Sequence, residues 1–297
     1  MTSPDDTRRG FALGALGVVI FALTLPMTRL AVGDAADPQL PPAFVTAGRA
    51  ALAGLLSALY LLAVRAPWPR RTVANALGIS AFGTVLGFPL GIALALREVD
   101  AMHAAVVTGT LPLATAVVAA LVLRQRPSVG FWACAVLGCA LVLVFAAWQG
   151  SGRLSAADGW LLFAVVTGAI GYVGGAQAAA VMPAPQVICW VLVGSLPFTL
   201  PAMLWFWPTA PARASAWVGL GYAALFSMWL GFFAWYRGLT LGGVVRVSQV
   251  QLLQPFLALL FAVPVLGEKL EPVTVGFSLA VIAVVFVGKR MPVRVVA

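Results

Sequence analysis

The polar side chains best placed to bind a ligand lie three positions apart in one apolar stretch, Val244–Pro272. They are Ser248, Gln251 and Gln254, and this spacing puts them on one face of a helix. Their hydroxyl and amide groups can form hydrogen bonds with the amino and carboxylate groups of a zwitterion. The alternative is that these polar groups only hold neighbouring helices together.

An earlier stretch, Ala104–Pro127, repeats the later one. Aligning Pro112 with Pro255 brings Gln125 onto Glu268 without a gap. In both copies a proline interrupts an apolar helix, an apolar run follows, and a charged turn leads into another apolar helix. We therefore interpret the chain as a duplicated bundle of helices.

The repeat also relates the polar positions to each other. Thr108 in the earlier stretch matches Gln251 in the later one, so the two polar faces are expected to meet across a pseudo-twofold axis. Pro112 and Pro255 each remove a backbone donor and free carbonyl groups towards the interior. The two kinks are candidates for gates, with static bends as the alternative.

Further side chains are candidates for the same cavity. Thr84 lies one helical turn after Ser80; helix packing is the favoured role there, with cavity lining as the alternative. Trp229 stands in the middle of an apolar segment and could form an aromatic wall with Tyr172, although core packing fits equally. For Arg49 we favour a structural role between helices over attraction of a substrate carboxylate.

Enzyme chemistry finds little support in the residue types. His103 is the only histidine, and no Asp or Glu lies in the middle of an apolar segment. The three cysteines show neither a disulfide framework nor the spacing of metal ligands. We therefore expect no enzyme, no cofactor and no metal site.

The composition places the chain in a membrane. Apolar residues make up 62% of it and charged residues only 9%, against roughly a quarter charged in soluble domains. The net charge of +9 does not indicate a nucleic-acid partner, because the basic residues lie in short loops between apolar runs. The lipid bilayer is the expected solvent of this surface.

Ten apolar segments, here called spans, approach the roughly 20 helical residues needed to cross the hydrocarbon layer. Short loops connect them, so neighbouring helices run antiparallel. The ten spans are Phe11–Val32, Pro42–Val64, Val73–Leu96, Met102–Leu123, Val129–Trp148, Asp158–Ala178, Gln186–Trp207, Ala216–Leu239, Val244–Leu266 and Pro272–Gly288.

The loop charges predict the orientation of these spans. Most basic residues collect at one set of ends and most acids at the other, so the tails, 1–10 and 289–297, are placed in the cytoplasm of a bacterial-type inner membrane. The two repeats, 11–148 and 158–288, contain five spans each, an odd number, and must have opposite topology. The predicted fold is all-α and integral to the membrane, with ten transmembrane helices in two inverted five-helix repeats around a central cavity.

The turn that follows the second proline carries a family resemblance. Pro255 with Leu266-Gly267-Glu268-Lys269 resembles the end of an EamA-type repeat, and Arg49 in TAGRAALAGLL is also typical. The first copy departs from the pattern, because Gln125 replaces the usual acid. The chain thus resembles the ten-helix branch of the drug/metabolite transporter superfamily, which implies export of small metabolites, with YddG-like exporters of aromatic amino acids as the nearest kind.

These observations predict a transporter that exports small zwitterions, namely aromatic or large neutral amino acids, by alternating access. Drugs, nucleotide-sugars and sugar phosphates are alternative cargoes, although a phosphate is expected to require clustered basic residues around the cavity. A membrane-embedded enzyme is the non-transport alternative, and it is disfavoured. The energy coupling and the oligomeric state are left open, and a monomer is compatible with the sequence.

Overall fold

The computed structural model describes residues 4–122, 126–149, 154–242, 250, 253–291 and 293–294. In these ranges the regular structure is helical, apart from one short antiparallel pair formed by β1 (Arg126–Pro127) and β2 (Val293–Arg294). The prediction of an all-α fold is confirmed.

The helices follow the predicted spans, several of which consist of two helices. They are α1 (Pro4–Ala22), α2 (Thr24–Val32), α3 (Pro42–Ala63), α4 (Ala74–Ser80), α5 (Phe88–Ala95), α6 (Ala101–Thr108), α7 (Leu111–Val122), α8 (Val129–Gln149), α9 (Ala156–Ala179), α10 (Ala184–Trp205), α11 (Ala214–Tyr222), α12 (Gly231–Gly242), α13 (Gln254–Leu266) and α14 (Pro272–Arg290). A short 3₁₀ turn, Arg71–Val73, precedes α4.

Seven helical segments of the described ranges are long and apolar enough to cross a membrane. The apolar stretches found within the helices of the fifth, ninth and tenth spans are shorter, namely Val129–Phe145, Gln254–Leu266 and Pro272–Val284. Large apolar side chains such as Leu62 and Phe198 are 74% and 78% exposed on the outside of the bundle, as lipid-facing residues would be. The number of ten membrane crossings stays a prediction.

The two aligned prolines lie at helix starts. The fourth span breaks between Thr108 and Leu111, so Pro112 falls in the first turn of α7, and Pro255 occupies the first turn of α13. A proline costs no hydrogen bond in the first turn, because that N–H has no intrahelical partner. Most of the ninth span before Gln254 lies outside the described residues.

The two halves interlock in a symmetric pattern. The second span packs along the seventh, the fourth against the ninth, and the fifth against the tenth. The first packs against the eighth, and the third packs against the sixth. When each span is replaced by its equivalent in the other half, the first three contacts map onto themselves and the last two map onto each other. This is the pattern expected for a repeat about a pseudo-twofold axis.

Two π-helical segments reinforce this symmetry. Ala81–Gly87 lies between α4 and α5, and Ala223–Leu230 lies between α11 and α12. The shift of 143 residues that aligns Pro112 with Pro255 carries the first segment onto 224–230. Both halves therefore contain the same local widening of the helix, a feature often found at functional sites.

The third and sixth spans approach closely because glycines line their contact. A Cβ atom at Gly83 would overlap the carbonyl oxygen of Thr167 and the Cα atom of Gly171. A Cβ atom at Gly171 would lie 2.7 Å from the backbone nitrogen of Thr84. Glycine is the residue that permits such backbone contact, and the contact fixes the wall on which Thr84 stands.

The acids outside the N-terminal tail collect at one end of the bundle, here called the acidic end. They surround two neighbouring cavities that share Asp100 and Glu268. The acids are Asp34, Asp37, Glu98, Asp100, Asp158, Glu268 and Glu271. This is the end that the loop charges predict to face outward, and the orientation itself stays a prediction.

Candidate functional site

A central cavity lies where the two halves meet. The first half contributes the polar side chains Thr24, Arg49, Thr84 and Thr108. The second half contributes Tyr172, Ser227 and Gln254. A neighbouring cavity shares Thr108 and Gln254 with it and extends to Pro255.

The structure brings four of the predicted site residues together. Thr84, Thr108, Tyr172 and Gln254 all line the central cavity. They come from the third, fourth, sixth and ninth spans, which the sequence separates widely. Two further candidates, Ser248 and Gln251, lie outside the described residues.

Trp229 is not among the lining residues. Its ring packs against Phe233, with the ring centroids 5.1 Å apart, and its indole lies beside Cys189. The π-helical segment that contains Trp229 turns Ser227 and Met228 towards the cavity instead. The aromatic lining is formed by Tyr172 together with three phenylalanines, Phe21, Phe88 and Phe232.

Arg49 stands in the cavity wall, where it also connects two helices. The residue is only 4% exposed, and its Nη2 donates a 3.0 Å hydrogen bond to the hydroxyl oxygen of Ser227. That hydroxyl forms a second hydrogen bond of 2.8 Å with the Thr24 hydroxyl. The structural role assigned from the sequence therefore coexists with a position against the cavity.

Two threonine hydroxyls present mainly acceptor groups to the cavity. The Thr84 hydroxyl donates to the carbonyl oxygen of Ser80 at 2.7 Å, and the Thr108 hydroxyl donates to that of Ala104 at 2.7 Å. Since each proton is used within its own helix, the oxygen lone pairs remain to accept hydrogen bonds from a ligand. The cavity thus offers donors at Arg49 and acceptors at the two threonines.

At the acidic end, carboxylates of the second half hold the start of α6. Glu268 Oε1 accepts a 2.7 Å hydrogen bond from the Ala101 N–H, and Oε2 accepts one of 2.9 Å from the Met102 N–H. Asp100, at the N-cap position, makes no capping bond with its own side chain. Glu268 therefore caps α6 from the loop between α13 and α14.

The next residue of α6 is held by a second carboxylate. His103 Nε2 lies 2.7 Å from Asp158 Oδ1, and both side chains are buried. Ser155 and Asp158 form a capping box at the start of α9, which fixes the carboxylate in place. We call the contacts of Glu268 with Ala101 and Met102, and of Asp158 with His103, the carboxylate clasp.

The ionisation of Glu268 should give the clasp a pH dependence of known sign. Burial raises the pKa of this carboxyl above 4.5, while the two N–H bonds oppose the rise, Asp100 adds to it and Arg29 opposes it. A raised pKa means that the group's contribution to stability is complete below pH 4.5 and declines as the pH rises through the raised value. We expect the unfolding temperature of the wild-type protein to show this decline between pH 4 and 8, and that of Glu268→Gln to lack it. Unfolding temperatures of the two proteins that change with pH in parallel would contradict this expectation.

Comparisons with known proteins agree with this architecture. The EamA-like transporter family matches the chain twice, over residues 8–147 and 155–288. The uncharacterized transporter YdeK of Bacillus subtilis (strain 168) is 43% identical over 288 residues, which cover 96% of this chain and 99% of that protein. A crystal structure of a protein with 18% identity shares the fold, with a TM-score of 0.62 over 95% of this chain and 98% of that one. The chain therefore belongs to the EamA-like transporter family of the drug/metabolite transporter superfamily, and it is a multi-pass membrane transporter.

Proposed function

We propose that this protein exports small zwitterionic metabolites, in particular aromatic or large neutral amino acids, across the inner membrane. The observation that carries the proposal is the central cavity, whose polar lining comes from both halves of the repeat. A site at such an interface can be opened to either side when one half rocks against the other. The charge distribution of the loops supports cytoplasmic termini, and the resemblance to exporters of the drug/metabolite transporter superfamily supports the direction of export.

The chemistry of the lining suits a zwitterion with an apolar side chain. The Arg49 guanidinium donates hydrogen bonds, whereas the lone pairs of Thr84 and Thr108 accept them. Phe21 and Phe232 supply an apolar wall that matches an aromatic or branched aliphatic group. The described lining contains guanidinium, hydroxyl and amide groups but no carboxylate or imidazole. The site therefore favours binding over acid–base chemistry.

A phosphorylated cargo fits this lining less well. Arg49 is the one basic side chain of the described lining. A phosphate dianion is usually bound by more than one positive group or by several charge-assisted hydrogen bonds. Sugar phosphates and nucleotide-sugars therefore rank below zwitterions, and drugs remain the other alternative cargo.

The transport assay uses purified protein in liposomes preloaded with radiolabelled amino acids, with and without an imposed pH gradient. We expect efflux of large neutral or aromatic amino acids, and continued efflux without the gradient would indicate facilitated diffusion. No efflux of any amino acid by folded protein, together with efflux of a sugar phosphate or a drug, would overturn the proposed cargo.

Replacing Gln254 should weaken this transport. Gln254 lines both the central cavity and its neighbour, and a hydrogen bond to a charged group contributes about 1.5–3 kcal/mol. We expect Gln254→Ala to raise the half-saturating concentration about tenfold. Gln177→Ala is the matched control, because Gln177 is an exposed residue of α9 and does not line the cavity; equal effects of both changes would speak against a site at Gln254.

A further inference from the structure

We propose that Arg49, Ser227 and Thr24 form a carboxylate subsite at one pole of the central cavity. This inference rests on the proposed function, since it names the part of the cargo that one wall recognises. The sequence favoured a structural role for Arg49 over attraction of a substrate carboxylate, and the incomplete hydrogen bonding of this arginine now supports the second role beside the first. The burial of Arg49, Ser227 and Thr24, their hydrogen bonds and the apolar residue that stands at the position equivalent to Arg49 in the second half together indicate an anionic ligand.

The guanidinium of Arg49 is incompletely paired. An arginine buried in an apolar bundle is costly unless it is paired. Among the residues that the structure describes, Arg49 makes one hydrogen bond, to the neutral hydroxyl of Ser227. Its Nε is buried without a hydrogen-bond partner among the described residues, and no described carboxylate lies within ion-pair distance of it. A ligand anion in the adjoining cavity would supply the missing charge and acceptors.

The geometry of the Arg49, Ser227 and Thr24 side chains suits a carboxylate. A guanidinium presents its donors in a planar fork that matches the two oxygens of a carboxylate. The Ser227 hydroxyl fixes one side of the fork, and the Thr24 hydroxyl 2.8 Å away holds Ser227 in place. A single guanidinium beside two neutral hydroxyl groups balances one negative charge, so this set of groups suits a monoanion such as a carboxylate.

The internal repeat gives Ser227 a polar counterpart in the other half but gives Arg49 none. The shift of 143 residues relates Ser227 to Thr84, so each half places a hydroxyl of its π-helical segment against the cavity. The position equivalent to Arg49 is Leu192 by the same shift and Val191 by the bounds of α3 and α10. Both are apolar and buried.

The cavity therefore has one cationic pole and one neutral pole, although its backbone is nearly symmetric. The neutral pole offers the acceptor lone pairs of Thr84, whose proton is used on Ser80. An amino acid that places its carboxylate at Arg49 can direct its ammonium group towards this side. The asymmetry thus determines the orientation of the bound zwitterion, with its carboxylate at Arg49 and its ammonium group towards Thr84.

The test uses three compounds that share a phenyl group and differ in charged groups: phenylalanine, phenethylamine and 3-phenylpropionate. The matching leucine series, leucine, isoamylamine and 4-methylpentanoate, extends it to an aliphatic side chain. Binding to the purified full-length protein is measured by calorimetry, and transport is measured in liposomes. We expect the wild-type protein to bind the amino acids and the acids but not the amines.

Arg49→Gln should remove this preference for a carboxylate. We expect its affinity for the amino acids and the acids to fall about 10- to 100-fold, whereas Arg49→Lys should retain part of it. Ser227→Ala, which leaves the guanidinium in place, should lower the same affinities by a smaller factor. Arg213→Gln is the matched control, since that exposed arginine pairs with Asp37 at the acidic end.

The outcomes separate the subsite from the proposed function. The subsite is overturned if folded Arg49→Gln distinguishes acids from amines as the wild-type protein does. If Arg49→Gln does not fold, the subsite is overturned by unchanged affinities for the acids and amino acids in both Ser227→Ala and Arg49→Lys. Binding of amino acids and amines alike would overturn the subsite and leave amino-acid transport standing. Arg49-dependent binding of the acids without transport of any amino acid would support the subsite and refute the proposed cargo. Failure of every carboxylate to bind would overturn both.

Discussion

Removing the Glu268 carboxylate is expected to increase the population that is open at the acidic end about 5- to 30-fold. The carboxylate clasp joins α6 of the first half to a loop of the second half, so the clasp must break when the halves separate there. In Glu268→Ala two backbone N–H groups of α6 lose their acceptor, which costs about 1–2 kcal/mol in the clasped state alone. A difference of that size is a factor of about 5–30 between two states.

A cysteine in the central cavity reports this shift. Cys134, Cys139 and Cys189 are first replaced by alanine, and Thr108→Cys then supplies the only thiol. A membrane-impermeant maleimide is added to right-side-out and to inside-out vesicles, and the two labelling rates are compared. We expect Glu268→Ala to raise the ratio of outside to inside labelling.

The control for Glu268→Ala is a substitution of a neighbouring acid that does not contact the N–H groups of α6. Glu271 borders the same cavity at the acidic end and is exposed. Glu271→Ala should leave the labelling ratio unchanged, because it leaves the start of α6 capped. An unchanged ratio in Glu268→Ala would show that the clasp does not hold this end closed.

The helical framework could be predicted because it depends on local and repeated features. Apolar runs of about 20 residues indicate membrane helices, and the alignment of Pro112 with Pro255 shows the duplication without any knowledge of contacts. Thr84, Thr108 and Gln254 were found because a polar group in an apolar helix usually faces the interior. These signals lie within one helix or within one alignment.

The remaining features depend on contacts that the sequence does not contain. Ala101 and Glu268 are 167 positions apart, so the clasp follows from the packing of the two halves. Trp229 occupies a mid-span position like a cavity residue, but its ring packs against Phe233 and does not line the central cavity; a mid-span position alone does not show which way a side chain faces. Arg49 was identifiable as unusual, yet only its neighbours Ser227 and Thr24 show that it faces the cavity.

The second large effect is expected at Gly83, where the third span of the first half touches the sixth span of the second half. In Gly83→Ala the added methyl group would overlap the Thr167 carbonyl oxygen and the Gly171 Cα atom. Both are backbone atoms, so no rotamer change relieves the overlap and the helices must separate. Overpacking of this kind typically costs about 1–3 kcal/mol, and we expect a lower unfolding temperature and a loss of transport.

Gly78→Ala is the matched control for this change. Gly78 lies in α4, just before the π-helical segment that contains Gly83, and a Cβ atom there has no neighbour within 4 Å. Alanine is a better helix former than glycine by about 1 kcal/mol, so Gly78→Ala should leave the protein unchanged or slightly more stable. Thermal unfolding in detergent compares the two variants, and a Gly83→Ala protein as stable as Gly78→Ala would contradict the close contact. Since Thr84 follows Gly83 directly, separation of these spans also displaces a cavity hydroxyl, so transport should fall even where folded protein is recovered.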